Sequence, residues 1–224
     1  MIISDLDFAA MYKLHMGLSQ RPAKPASVWD DKALDLSARV MNSPYSDEFV
    51  KRMDLQGASS LLDVGCGPGT IALAVAGQLD QVHGLDYSVG MLACMAENAA
   101  AQGLDHVQTH LLAWEDSWDT VPVCDIVVAS RSSLVADMAG ALAKMTAHAR
   151  LRCYMTHLVG GSFGGAGSAT LTGRQQGSLP DYIYIINILY GMGLHPRIDY
   201  IVIPGRLDGA VMRWAFISWD AAPI

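Results

Sequence analysis

The 224-residue sequence predicts an α/β fold: a parallel sheet with helical crossovers that finishes in an antiparallel hairpin. Three features carry that expectation. Beyond Gly57, short β-prone runs alternate with longer segments whose apolar residues recur three or four apart, the pattern of strands joined by crossover helices. A glycine-rich turn, Gly65-Cys66-Gly67-Pro68-Gly69, joins the first such strand to the first such helix. Near the far end, two strand-like runs are separated only by a turn-rich link containing Pro204, Gly205 and Gly209, short enough for antiparallel pairing.

Ahead of the sheet, a helix is expected from Asp5 to about Ser19, broken by Pro22 and Pro25, then a second from Trp29 to Met41 and a short one from Ser46 to Met53. The expected strands are Ser60 to Val64, Gln81 to Leu85, His106 to Leu111, Asp125 to Ser130 and Arg150 to Thr156, followed by the hairpin pair Arg197 to Ile203 and Val211 to Trp219. Thr70 to Gln78 reads as a short helix. Ser88 to Gln102 has Ser88 as its cap, Met91, Leu92, Met95 and Ala99 on one face, and Gly103 as its stop. Ser133 to His148 aligns Leu134, Met138, Leu142 and Met145, whereas Glu115 to Val121 is too short and irregular to assign. Asp181 to Leu189 follows Pro180 and ends at Gly191 and Gly193. Residues 159–180 hold 7 of the 21 glycines and few apolar anchors, which predicts a mobile flap. A phosphate-loop reading of that segment fails for want of a Lys-Ser/Thr ending.

Composition bounds the function. With 51% hydrophobic and 17% charged residues and a mean hydropathy of +0.24, the chain has material for a buried core and is not disordered. Its apolar runs are far shorter than the roughly 20 residues that span a bilayer, and Met1-Ile2-Ile3-Ser4-Asp5 is no secretory leader, so a cytoplasmic location away from membranes is expected. Cys66, Cys94, Cys124 and Cys153 are widely spaced, without a CxxC or Cys/His cluster; reduced thiols in apolar surroundings and no metal site are expected. Net charge is −7, with 7 Lys and Arg against 16 acids through Asp119 and 8 against 6 afterwards. An acidic chain without a basic stripe is a poor match for a phosphate backbone, which disfavours nucleic acid.

The glycine turn is the most informative stretch. Glycines at 65, 67 and 69 let the backbone approach a ligand closely, and the following helix offers free N–H groups. A dinucleotide loop would read GxGxxG, but the sixth place here is Thr70 and Pro68 stiffens the turn. Asp63, just before the glycines, would repel a pyrophosphate yet pair with an ammonium group. The second strand ends at Gly84-Leu85-Asp86, an acid 21 residues beyond Gly65, placed to accept both hydroxyl hydrogens of a ribose. A zwitterionic adenosine ligand fits this pair of acids.

On these residues the sequence resembles the class I S-adenosylmethionine-dependent methyltransferases, through the loop Asp63-Val64-Gly65-Cys66-Gly67-Pro68-Gly69 and the acid Asp86. The resemblance implies a doubly wound, Rossmann-like seven-stranded sheet with its last strand antiparallel, S-adenosylmethionine across the strands' carboxyl ends, residues 1–56 as a helical lid and residues 57–224 as the donor-binding domain. It implies that Asp63 and Gly65 face the methionine moiety, with Cys66, Gly67 and Gly69 forming the turn and Asp86, followed by Tyr87, at the ribose. Met91 would pack near the adenine, Trp114 and Glu115, ahead of Asp116, would contact it, and Ser130 would lie beside the methyl-bearing sulfur. For Trp114, Glu115 and Met91 the competing readings are a surface turn and core packing.

Ser130-Arg131-Ser132-Ser133 stands where base-modifying amino methyltransferases carry an Asn or Asp followed by two prolines and an aromatic, and that signature is missing. Arg131 reads as a contact for an acidic substrate, set against an ion-pair or helix-capping role for this cluster. His157 follows the fifth strand at a place suited to a general base, against the ordinary reading of a core histidine in a chain with seven. Trp29 and Tyr45 are expected to cover the donor, against packing in the domain. The function implied is methyl transfer to a small-molecule acceptor, with the charge pattern tilting toward an anionic metabolite. An NAD-dependent oxidoreductase and a non-catalytic donor-binding subunit are the alternatives.

Overall fold

The computed structural model describes residues 2–19, 22–41, 43–161, 179–205 and 211–222. Strands β1 (Ser60–Val64), β2 (Gln81–Asp86), β3 (Val107–Leu111), β4 (Cys124–Ala129), β5 (Ala149–Leu158), β6 (Arg197–Pro204) and β7 (Val211–Asp220) form one sheet in the order β3-β2-β1-β4-β5-β7-β6. β7 runs antiparallel to both β5 and β6, and the remaining pairs are parallel. The expected seven-stranded α/β sheet with its last strand antiparallel is thus present. The chain works outward from β1 to β3 and returns to β4 beside β1, so the carboxyl ends of β1 and β4 flank the reversal point where open α/β sheets bind ligands.

Eight α-helices accompany the sheet among the described residues: α1 (Phe8–Leu18), α2 (Ala26–Asp30), α3 (Ala33–Val40), α4 (Pro44–Val50), α5 (Ala72–Val75), α6 (Val89–Ala101), α7 (Met138–Ala147) and α8 (Tyr182–Gly191). None is long and apolar enough to cross a membrane. Alternate strand residues divide between two cores. Leu62, Val64, Val127 and Met155 pack with Tyr12 of α1, Leu142 of α7 and Ile185 of α8. On the opposite face Leu61, Ile126, Val128 and Phe216 pack with Tyr45 and Phe49 of α4, Leu73 of α5 and Met95 of α6. Complete burial of Phe49 alone contributes about 1.5–3 kcal/mol. Helices α1 and α4 therefore share the sheet's cores, whereas Ala33 of α3 packs with Met91 and Cys94 of α6, and Trp29 of α2 lies against them.

Several element boundaries differ from expectation for identifiable reasons. The single helix expected from Trp29 to Met41 is two, α2 and α3, because Asp30 turns its Oδ1 to accept from Ser88 Oγ at 2.6 Å and Gly90 N at 2.9 Å at the start of α6. The helix expected from Ser133 begins only at Met138, capped by Asp137. Residues before it are held out of the helix by Ser133 Oγ, which donates to Thr156 O at 2.8 Å, and by Tyr12 OH, which donates to Val135 O at 3.0 Å. Glu115 to Val121 forms no helix; it buries Trp118, whose Nε1–H donates to Ala113 O. The four cysteines are all buried. Most of the glycine-rich segment expected to be a flap, residues 162–178, lies outside the described residues.

Candidate functional site

The glycine loop leaves β1 and folds back onto β2, with the N–H groups of Gly65 and Cys66 donating to Leu85 O at 2.7 and 3.1 Å. Gly65 and Gly67 hold φ of 67° and 54°, the left-handed region that glycine enters freely. A Cβ on Gly65 would overlap Ser132 Cβ and come within 2.8 Å of its Oγ. Cys66 is buried, and that burial pushes its thiol well up.

Asp63 is 1% exposed. Its Oδ2 accepts from Ala72 N at 3.3 Å, and its Oδ1 has no hydrogen-bond partner. Burial pushes the carboxyl up to about 7, opposed by the Ala72 N–H and assisted by the nearby Asp86 charge. A buried acceptor without a donor is uncommon in a folded protein. Asp86, 7% exposed, accepts from Ser88 N at 2.9 Å and Gly67 N at 3.0 Å. Burial raises its carboxyl as well, and those N–H bonds oppose the rise. Each of its oxygens keeps a lone pair for a further donor.

On the β2 side of the loop, the structure brings N-terminal residues beside these acids. The Tyr87 hydroxyl donates to Lys24 O at 3.1 Å, and the Lys24 ammonium lies 4.6 Å from the centroid of the half-buried Trp29 ring. Met91 is buried with Ala33 and Cys94, and Trp29 packs against this cluster. The Met91 sulfur also lies 3.9 Å from the position a Cβ on Gly67 would take. The expectation for Met91 and its competing reading of packing therefore meet in one side chain. Asp116 closes its own turn, accepting from Ala113 N at 2.7 Å. Glu115 is exposed, and its charge helps raise the Tyr87 hydroxyl, a rise due first to burial. Trp114 donates from Nε1 to Ser132 O at 3.1 Å, which ties it to the segment after β4.

That segment is a junction. Ser130 Oγ lies 2.9 Å from the Tyr45 hydroxyl, which is 2.6 Å from Thr156 Oγ1. Arg131 N donates to Thr156 Oγ1 at 3.0 Å, and its guanidinium lies 4.1 Å from the Tyr45 ring centroid. Ser132 Oγ donates to Val64 O at 2.6 Å. Ser133 meets Thr156 O and His157 Nδ1, the latter at 2.8 Å. Tyr45, 1% exposed, thus lies under the carboxyl ends of β4 and β5, and burial raises its hydroxyl so that it stays neutral.

His157 is not placed as a general base. It is fully buried, its Nε2 meets Pro180 O at 3.1 Å, its Nδ1 meets Ser133, and Tyr12 packs beside it. Burial lowers its pKa from 6.5 to about 4. A histidine held neutral in the fold contributes stability that is present above pH 6.5 and declines as pH falls toward 4. His157→Gln is therefore expected to lose less stability than the wild type between pH 6.5 and 4.5, as measured by chemical denaturation at each pH.

Asp63, the glycine loop, Asp86, Tyr87 and Met91 are gathered at the ends of β1 and β2, with Ser130 and Arg131 one strand away at β4. Sequence reasoning did not single out Asp30, Ser132 or Thr156. Ser132 had a weak signal, its place in the Ser-Arg-Ser-Ser cluster; Asp30 had none, since its partner lies 58 residues away.

Residues 61–151 match a family model described as a methyltransferase domain. A protein of Haemophilus influenzae without an assigned function is 36% identical over 203 residues, covering 90% of this chain and 76% of the relative. A demethylmenaquinone methyltransferase of Shouchella clausii is 49% identical over 73 residues, 28% of this chain and 31% of that protein. Among solved structures, the magnesium protoporphyrin IX methyltransferase of Synechocystis with bound S-adenosylhomocysteine superposes with a TM-score of 0.62 at 14% identity, covering 96% of each chain. Matched in sequence across the glycine loop and in topology across the sheet, the chain belongs to the class I S-adenosylmethionine-dependent methyltransferases.

Proposed function

We propose that the protein moves a methyl group from S-adenosylmethionine to a small-molecule acceptor at the carboxyl ends of β1 and β4. Family membership displaces the NAD-dependent oxidoreductase reading. The observation that carries the proposed site is the buried, unpartnered Oδ1 of Asp63 beside a loop without side-chain bulk. It fits the ammonium of the donor's methionine moiety, while the remaining lone pairs of Asp86 fit the ribose hydroxyls. Tyr87, Met91, Trp114 and Glu115 border the adenine end, with Asp116 consumed by its own turn. Ser130 borders the reacting methyl. A neighbour named for magnesium protoporphyrin IX, with which this chain shares its fold, supports a small acceptor.

Bound, the donor supplies a methyl on a positively charged sulfur, open to in-line displacement. The chain's own contribution is alignment and exclusion of water. The polar cluster over β4 and β5 supplies no base: Tyr45 stays neutral, Arg131 stays cationic, and His157 is sealed away. Helices α2 and α4 act as the lid's fixed part, with Asp30 binding Ser88 next to the ribose acid.

Calorimetric titration with S-adenosylhomocysteine tests the donor assignment. Asp86→Ala removes two charge-assisted hydrogen bonds to ligand, each about 1.5–3 kcal/mol, so affinity is expected to fall roughly 100-fold or more. Unchanged affinity refutes the ribose role. Turnover of S-adenosylmethionine with an acceptor library distinguishes the enzyme from a non-catalytic donor-binding subunit.

A further inference from the structure

Arg131 is the one non-glycine residue with a positive φ, 57°, among the described residues. Such strain in a side-chain-bearing residue persists where surrounding structure imposes it, and it clusters at functional sites. Here the imposing bonds are its own N–H to Thr156 and those of Ser130 and Ser132 on either side. The result is a cation lifted onto the face of Tyr45. Stacking covers one face of the guanidinium and leaves its in-plane donors unused. Among the described residues Arg131 forms no ion pair and its side-chain N–H groups have no acceptor, although it is solvent-exposed. Arg52 pairs with Glu48 and Asp199, Arg152 with Asp54 and Arg197 with Asp220. In a chain of net charge −7 an open cation has carboxylates to choose from, and this one is held away from them.

We propose that Arg131 anchors an oxyanion of the methyl acceptor, a carboxylate or a phosphate, which makes the acceptor an anionic small molecule. This rests on the reading of the cleft as a methyl-transfer site. A guanidinium presents a fork of N–H donors that matches such a group bidentately. Position separates it from the donor. The adenosine end is held at β2 by Asp86, the methionine end at β1 by Asp63, and Arg131 rests over Tyr45, whose hydroxyl reaches Ser130 and Thr156 at the ends of β4 and β5. An oxyanion gripped there would bring the rest of the acceptor to the methyl from the side opposite the adenosine.

The test uses the full chain saturated with S-adenosylhomocysteine and titrated with benzoate, phenyl phosphate and the neutral benzamide, read by calorimetry. At least one anion is expected to bind ten or more times tighter than benzamide. Arg131→Gln is expected to erase that preference by tenfold or more while leaving S-adenosylhomocysteine affinity within twofold. Arg131→Asn, a residue tolerated at positive φ, is expected to do the same with an unchanged circular dichroism spectrum, which separates lost recognition from lost folding. Preference for benzoate indicates a carboxylate, and preference for phenyl phosphate a phosphate. Equal binding of benzamide, no anion binding, or anion affinity that survives Arg131→Gln overturns the proposal. So does a loss that falls on S-adenosylhomocysteine instead, which would assign the guanidinium to the donor's carboxylate. Failure of the wild type to bind S-adenosylhomocysteine would sink the methyl-transfer reading and this proposal together.

Discussion

Asp63→Asn is expected to abolish most donor affinity and, at the same time, to stabilise the ligand-free protein above neutral pH. The carboxyl rises from 3.8 to about 7 because burial disfavours its charge. A carboxyl raised on folding favours the folded state below its unfolded pKa, and that advantage is lost as pH climbs to the folded value. The burden on the free protein therefore grows between pH 4 and 7 and is flat above. Three units correspond to about 4 kcal/mol, of which an asparagine would return part, since its amide leaves an unsatisfied donor worth about 1–3 kcal/mol. A net gain of roughly 1–3 kcal/mol at pH 8, shrinking toward pH 4, is the expected outcome of denaturant titrations. Donor binding runs the other way. Removing one partner of a buried pair costs about 3–5 kcal/mol, a loss of more than 100-fold. In the wild type the ammonium requires the ionised carboxyl, so binding below pH 7 should release a proton, countable by calorimetry in buffers of different ionisation heat. Retained affinity in the variant, or no proton release, would remove Asp63 from the donor site.

The proposed donor half of this site could be laid out from the sequence because its determinants are local. Asp63 and the glycines are contiguous, and Asp86 ends the neighbouring strand, so spacing along the chain already encodes proximity. The proposed acceptor half could not, because it is assembled from distant segments: Tyr45 meets Thr156 across 111 residues and Ser132 meets Val64 across 68. His157 illustrates the limit. Its position near the end of β5 put it at the correct edge of the sheet, but strand residues alternate between faces. Thr156 faces Tyr45, and His157 faces Tyr12 in the opposite core. The expected strand stopped at Thr156, and the observed one runs to Leu158, so the register that decides which residue meets the cleft was out of reach. The helix-capping alternative for the Ser130–Ser133 cluster gives way to tertiary hydrogen bonds, since the helix begins later and is capped by Asp137.

Gly65→Ala should be far more damaging than Gly57→Ala, although both glycines have positive φ, 67° and 77°. A side chain in that region costs about 1–2 kcal/mol, and at Gly57 the cost ends there, since nothing lies within 4 Å of the added Cβ. At Gly65 the added atom overlaps Ser132. Ser132 has little freedom to retreat, because its hydroxyl donates to Val64 O at 2.6 Å and its carbonyl accepts from Trp114 Nε1 at 3.1 Å. Overpacking of this kind adds about 1–3 kcal/mol. Gly65→Ala is therefore expected to lose roughly 2–5 kcal/mol, which at about 2–4 °C per kcal/mol for a chain of this size lowers Tm by about 10 °C. The test is a cycle with Ser132→Gly. That change alone removes one hydrogen bond and should destabilise slightly, but in the Gly65→Ala background it also clears the overlap, so the double variant should be more stable than the sum of the singles by about 1–3 kcal/mol. Simple additivity, or a Gly65→Ala loss no larger than that of Gly57→Ala, would mean that the segment after β4 does not press on the donor loop. The coupling expected between the two halves of the site would then be absent.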